Sequence, residues 1–168
     1  MRDEGPGSIL GVDPGVSETG WAVLDSVSSR PLASGVIRTS PRQPLTDRLS
    51  DIHSGLSRVI RAHSPSSVAV EEMFFVKRAS TIRGTLEARG VILLAASQAG
   101  CSVSEYNPRT VKLSLTGSGS ADKAQMQRMI VRLFKLPAPP RPDDVADAMA
   151  VALCHLRMSR FRRTALRP

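Results

Sequence analysis

The sequence predicts an α/β fold: a mixed five-stranded sheet, three antiparallel strands and then two parallel ones, flanked by helices. Two observations predict it. Three β-like runs, 8–13, 19–25 and 32–39, follow one another across short breaks, as in an antiparallel meander. Beyond them, short apolar runs alternate with long segments of helical periodicity, and a strand reached through a crossover helix usually lies parallel to its neighbour.

The elements follow in order. Ile9-Leu10-Gly11-Val12-Asp13-Pro14-Gly15 is an apolar run that ends in a carboxylate and breaks at Pro-Gly, so it reads as a buried strand with Asp13 at its tip. Trp21 and Val23 alternate with smaller residues in the second strand, and Ser28-Ser29-Arg30-Pro31 separates it from the third. Leu45, Leu49, Ile52, Leu56, Val59 and Ile60 recur at mostly three- and four-residue steps, which makes one helical stripe packed on the sheet. Ser64-Pro65-Ser66-Ser67 ends that helix, and 68–71 is a short buried strand closed by Glu71. Met73-Phe74-Phe75-Val76 either packs under the next helix or displays an aromatic ring to a ligand.

A second helix is expected over 78–98, with Gly84 and Gly90 inside it. Those glycines weaken a helix unless another backbone comes close, which suggests a packing or dimer surface. The fifth strand is 101–106, and a short helix over 109–115 carries Lys112. Thr116-Gly117-Ser118-Gly119-Ser120 leads into a third long helix, with Ser120 as its N-cap and Met126, Met129, Ile130, Leu133 and Phe134 on its apolar stripe. The four prolines of 136–142 form a stiff connector. A last helix over 143–158 is apolar on two faces and is therefore buried. Residues 1–7 are read as a flexible lead-in, 8–158 as one domain, and 159–168 as a mobile basic tail.

The 168 residues, 41% of them hydrophobic, suit one domain with one core. Lys and Arg number 23 against 15 Asp and Glu, a net charge of +8, and the pI is about 10.7. That balance favours a polyanionic partner, nucleic acid first. Cys101 and Cys154 sit among apolar neighbours without ligand spacing, as in a reduced cytoplasmic protein. The longest apolar run, 91–96, is too short to cross a bilayer, so neither export nor membrane insertion is expected.

Against that basic background, acids stand at the borders of apolar segments. Asp13 ends the first strand, Glu71 ends the fourth, and Asp144 and Asp147 lie three residues apart in the first turns of the buried last helix. If the fourth strand pairs beside the first, Asp13 and Glu71 end on one edge. Like charges held against a core are costly without a cation, and an all-oxygen set suits a hard ion such as Mg²⁺ or Mn²⁺.

These residues carry a resemblance. Ile9 to Gly15 with Thr19-Gly20, then Val70-Glu71-Glu72-Met73-Phe74, then Gly119-Ser120-Ala121-Asp122-Lys123, then Asp144-Val145-Ala146-Asp147-Ala148 are similar in order and spacing to the RuvC family of Holliday junction resolvases, from about Ser8 to His155. The resemblance implies an RNase H-like fold and a homodimeric, divalent-metal-dependent endonuclease of recombination and DNA repair. Such an enzyme nicks two strands of a four-way junction symmetrically and leaves 5′-phosphate and 3′-hydroxyl ends. It implies Asp13, Glu71, Asp144 and Asp147 as catalytic and metal-binding acids, with two Mg²⁺ or Mn²⁺ ions per site. Lys112 and Lys123 are implied as DNA contacts near the scissile phosphate, Phe74 as a residue that stacks on bases, and the RuvA and RuvB branch-migration proteins as partners. Asp143 precedes the acidic pair, but the Asp-x-x-Asp-Ala pattern puts it at Asp144 and Asp147. Glu72 stands where the family often carries a neutral amide and adds negative charge near the ions.

Three rivals stay open at this point. They are an RNase H-like nuclease acting on RNA/DNA hybrids, a catalytically inactive junction-binding module, and an actin-like ATPase. The last needs a second lobe, which 168 residues do not supply.

Overall fold

The computed structural model describes residues 7–72 and 79–165, and at 79–82 and 163 the backbone alone. Strands β1 (Ser8–Asp13), β2 (Glu18–Asp25) and β3 (Pro31–Arg38) form the meander. Helix α1 (Leu45–His63) crosses to β4 (Ser67–Glu71), and α2 (Ala79–Gln98) crosses to β5 (Ser102–Tyr106). Both β4 and β5 are parallel to β1, and the sheet order is β3-β2-β1-β4-β5. Three helices complete the chain: α3 (Pro108–Thr116), α4 (Lys123–Phe134) and α5 (Asp143–Ala165).

The period of two along each strand divides the core between the faces of the sheet. Leu10, Val12, Val23, Val68 and Val70 pack with Ile52, Leu56 and Ile60 of α1 and Ala88 and Ile92 of α2. Ile9, Ala22, Leu24 and Ala69 point the other way, onto α5 and, around it, α3 and α4. Helix α5 is the central element of that second layer. Val145, Ala148, Val151, Ala152, Leu153 and Leu156 are all buried, which accounts for its being apolar on more than one face.

Two expectations shift. The N-cap of α4 is Asp122 rather than Ser120, because Asp122 Oδ1 accepts from Gln125 N at 2.7 Å while Gln125 Oε1 accepts from Asp122 N at 2.8 Å. This reciprocal pair satisfies two orphan donors at once, and a cap at Ser120 would have Lys123 at the answering position. Helix α5 runs to Ala165, past the expected end at Met158, so most of the arginine-rich segment is helical. Arg160 Nη2 ties this extension down by donating to Ser26 O at 2.9 Å and Val27 O at 2.7 Å. Among the described residues no helix is long and apolar enough to cross a membrane, and both cysteines are free thiols.

Candidate active site

Strand register brings the first two acids together. Val12 pairs with Val70 across the parallel β1–β4 ladder, so Asp13 and Glu71, each one step further, end neighbouring strands at the same edge. Asp13 shares a face with Gly11 and Ile9, and Glu71 shares one with Ala69, so both carboxylates lie on the α5 side of the sheet. Beyond Asp13 the chain turns sharply at Pro14–Ser17. A Cβ on Gly15 would come within 2.1 Å of Glu18 O, and Thr19 Oγ1 donates to Gly15 O at 2.7 Å to close the turn.

Two glycines bring in the other two acids. A Cβ on Gly11 would stand 2.2 Å from the Ala148 carbonyl oxygen, and one on Gly20 only 2.1 Å from that of Asp144. Gly20 is the β2 partner of Asp13. The backbone of α5 therefore lies directly on the sheet beside Asp13, an approach that any side chain at either position would block. Asp147, one turn past Asp144, projects toward Glu71, and the two line one cleft of about 270 Å³ with Lys112 and Lys123.

The three aspartates that open α5 differ in their partners. Asp143 is the tethered one: it pairs with Lys123 Nζ at 2.8 Å and Arg141 Nη1 at 2.7 Å, and accepts from Gln127 Nε2 at 2.9 Å. These contacts hold its carboxyl below its ordinary range, Lys123 foremost. Asp144 and Asp147 are pushed the other way, mainly by burial. Glu18, which also pairs with Arg38 Nε at 2.9 Å, adds repulsion at Asp144.

Asp13 is the most perturbed of the set. Burial, and then the charges of Glu71, Asp147 and Asp144, push its carboxyl up to about 8. Glu71 is pushed up to about 7 by burial and by Asp147, with Lys112 opposing. Carboxylates that raise one another in this way make a site short of positive charge. Among the described residues no three acid, His or Cys side chains are drawn tightly enough together to form a ready-made metal cage. The donors nevertheless fit a hard divalent ion, because all four are carboxylates, they converge from β1, β4 and α5, and their mutual repulsion is what such an ion relieves.

Asp13, Glu71, Asp144 and Asp147 thus gather at one edge of the sheet, with Lys112 and Lys123 beside them. Phe74 lies outside the described residues. Sequence reasoning missed the seats at Gly11, which faces Ala148 and Ala152 of the last helix, and at Gly20, which faces Asp144. It also missed a buried polar pin: His155 Nδ1 meets Tyr106 Oη at 2.8 Å, and His155 Nε2 meets Ser67 Oγ at 3.1 Å. Tyr106 ends β5 and Ser67 begins β4, so this pin fastens the middle of α5 to both strands.

Known proteins are similar to this chain in sequence and fold. The model of the RuvC family, crossover junction endodeoxyribonuclease, matches residues 9–155. A crossover junction endodeoxyribonuclease RuvC of Endomicrobium trichonymphae is 46% identical over 151 residues, which is 88% of this chain and 80% of that protein. The solved RuvC of Thermus thermophilus superposes with a TM-score of 0.85 at 34% identity, covering 92% of this chain and 96% of the other. The same protein in complex with a Holliday junction substrate gives 0.86 at 34% identity, over 93% and 96%. With the family model spanning all four acids, both lysines and every strand but the first residue of β1, the chain belongs to the RuvC family of crossover junction endodeoxyribonucleases.

Proposed function

We infer that the protein resolves four-way DNA junctions by metal-dependent nicking of two strands, in recombination and DNA repair. The observation that carries this reading is the meeting of Asp13 and Glu71 at one strand edge, under a helix whose Asp144 is seated on Gly20. The Thermus thermophilus relative bound to a Holliday junction substrate supports the choice of junction DNA over an RNA/DNA hybrid.

Asp13, Glu71, Asp144 and Asp147 would hold two divalent ions, Mg²⁺ or Mn²⁺. When bound, the ions supply Lewis acidity toward the phosphate, a lowered pKa for the attacking water and charge compensation at the leaving 3′ oxygen. The chain's own residues do the rest. Asp13, between Glu71 on one strand and Asp144 on the helix, is the central donor. Glu71 and Asp147 line the same cleft and orient what enters it. Lys112 and Lys123 line the same cleft and offset phosphate charge, Lys123 being positioned by its ion pair with Asp143. Phe74 is assigned to stacking on unpaired bases.

Two coordinated cuts on strands of like polarity require two sites related by a two-fold axis, hence a homodimer. Its surface is assigned to α2, where Leu86 and Leu94 are exposed and a Cβ on Gly90 would meet nothing within 4 Å. Gly84 serves a different end, since its position packs on Val16 of the same chain. RuvA and RuvB are the proposed partners at the junction.

The test is Asp13→Asn assayed on a four-way junction and on an RNA/DNA hybrid, with Mg²⁺ or Mn²⁺. Junction cleavage should fall at least about 10²–10³-fold while junction binding survives. Retained cleavage, or a wild-type preference for the hybrid, sinks the reading.

A further inference from the structure

A second basic cleft lies at the opposite end of the sheet from the acids. Asp13 pairs with Gly20 at one end of the β1–β2 ladder and Ser8 with Asp25 at the other, so the β2–β3 hairpin marks the far end. There a cavity of about 400 Å³ opens between that hairpin, the end of α4 and the second half of α5. Arg30, Lys135, Arg157 and Arg160 line it, Leu133 and Phe134 are part of its apolar wall, and among the described residues no acid lines it.

Arg157 and Arg160 are held in place from within. Arg160 donates to two carbonyls of the hairpin, and Arg157 donates to Ser114 O. Carbonyl acceptors fix a guanidinium without neutralising it. Asp25 feels Arg160, but its Oδ1 is committed to Ser28 N and Oγ, both at 2.6 Å. The apolar wall of Leu133, Phe134, Leu153 and Leu156 lowers the local polarity, which strengthens attraction for an anion at the rim. Along α5 the arginines of this cleft, Arg157 and Arg160, follow Asp144 and Asp147 by ten to sixteen residues, a rise of about 15–24 Å. A DNA strand advances about 3.4 Å per base pair, so along a duplex parallel to α5 the two sites are about four to seven base pairs apart.

We propose that this cleft is a second phosphate-binding site that grips the backbone of a duplex arm about one half-turn from the cut. The proposal rests on the junction-nicking reading for the identity of the nucleic acid. It makes the enzyme sensitive to arm length as well as to the junction centre.

The double variant Arg30→Gln/Lys135→Gln alters two exposed side chains outside the catalytic edge. It should bind a long-armed junction several-fold more weakly than wild type. The slope of log affinity against log salt should flatten by up to about two, near 0.9 per lost phosphate contact. A junction whose arms are too short to reach the cleft should bind both proteins alike, and cleavage at saturating long-armed junction should be unchanged. Arg160→Lys, which keeps the charge but not the two-carbonyl clamp, should weaken long-armed binding alone. Unchanged affinity and slope for the double variant overturn the proposal. So does a cleft-dependent affinity for poly-glutamate without any for the junction, which would mark a protein-binding site. If wild-type protein leaves junctions uncut while duplex binding still depends on the cleft, the nuclease reading fails and the phosphate site stands.

Discussion

Asp13 carries the largest electrostatic strain in the site, and its pH behaviour follows from the sign of the shift. Its carboxyl rises to about 8 in the folded chain without an ion bound, because burial and three neighbouring acids disfavour ionisation. The unfolded chain releases that proton near the ordinary carboxylate range, whereas the folded chain retains it up to about 8. The contribution of Asp13 to stability is therefore fully present in acid and is lost as pH rises toward 8, with Glu71 acting the same way toward about 7. In EDTA the melting temperature should decline across that window. Mg²⁺ should restore it, more at pH 8 than at pH 5, because the ion binds the deprotonated acids. Calorimetry of Asp13→Asn at pH 8 should show a higher metal-free melting temperature and a smaller Mg²⁺ response, on the order of 1–2 kcal/mol. A flat profile in the wild type would contradict the assigned repulsion.

At the level of elements, the seating of α5 on β1 and β2 decides whether the acids meet. Gly20→Val places side-chain atoms where the Asp144 carbonyl now lies. Overpacking of this kind should cost about 2–3 kcal/mol, or about 4–12 °C in melting temperature for a chain of this size. Activity should be lost even at temperatures where circular dichroism shows the variant folded, since α5 must lift to make room. Gly90→Ala, where the added methyl meets nothing within 4 Å of the same chain, should instead stabilise α2 of the Leu94→Glu monomer by about 0.5–1 kcal/mol. The acids were legible before the fold was known because each stands at the border of an apolar run, a break that periodicity exposes. Ser120 and Asp122 both suit the α4 cap, and only the reciprocal bonds of Gln125 single out Asp122. The glycine seats and the His155 pin were not legible, because they depend on which helix lies over which strand. A local pattern does not contain that information.

Over the whole molecule, the two ends of the sheet divide the charge. The acids gather where β1 and β4 end, and arginines and a lysine gather at the hairpin end, within a chain of net charge +8. The exposed Leu86 and Leu94 lie on α2, on the other side of the sheet from α5. A dimer through that face leaves both catalytic edges open. Sedimentation should give the mass of two 18.1 kDa chains, and Leu94→Glu should return it to one while leaving the fold intact. A monomeric wild type at micromolar concentration would rule out this face as a stable interface.

The placement of α5 also bears on how the enzyme comes into being during translation. A nascent chain that has left the ribosome only as far as Arg141 holds Asp13 and Glu71 but neither Asp144 nor Asp147, and one apolar face of its sheet is still bare. Cutting ability and burial of that face arrive together, when the closing helix docks. An incomplete product is thus harmless to the chromosome and, with Ile9, Ala22, Leu24 and Ala69 uncovered, a ready target for chaperones and proteases.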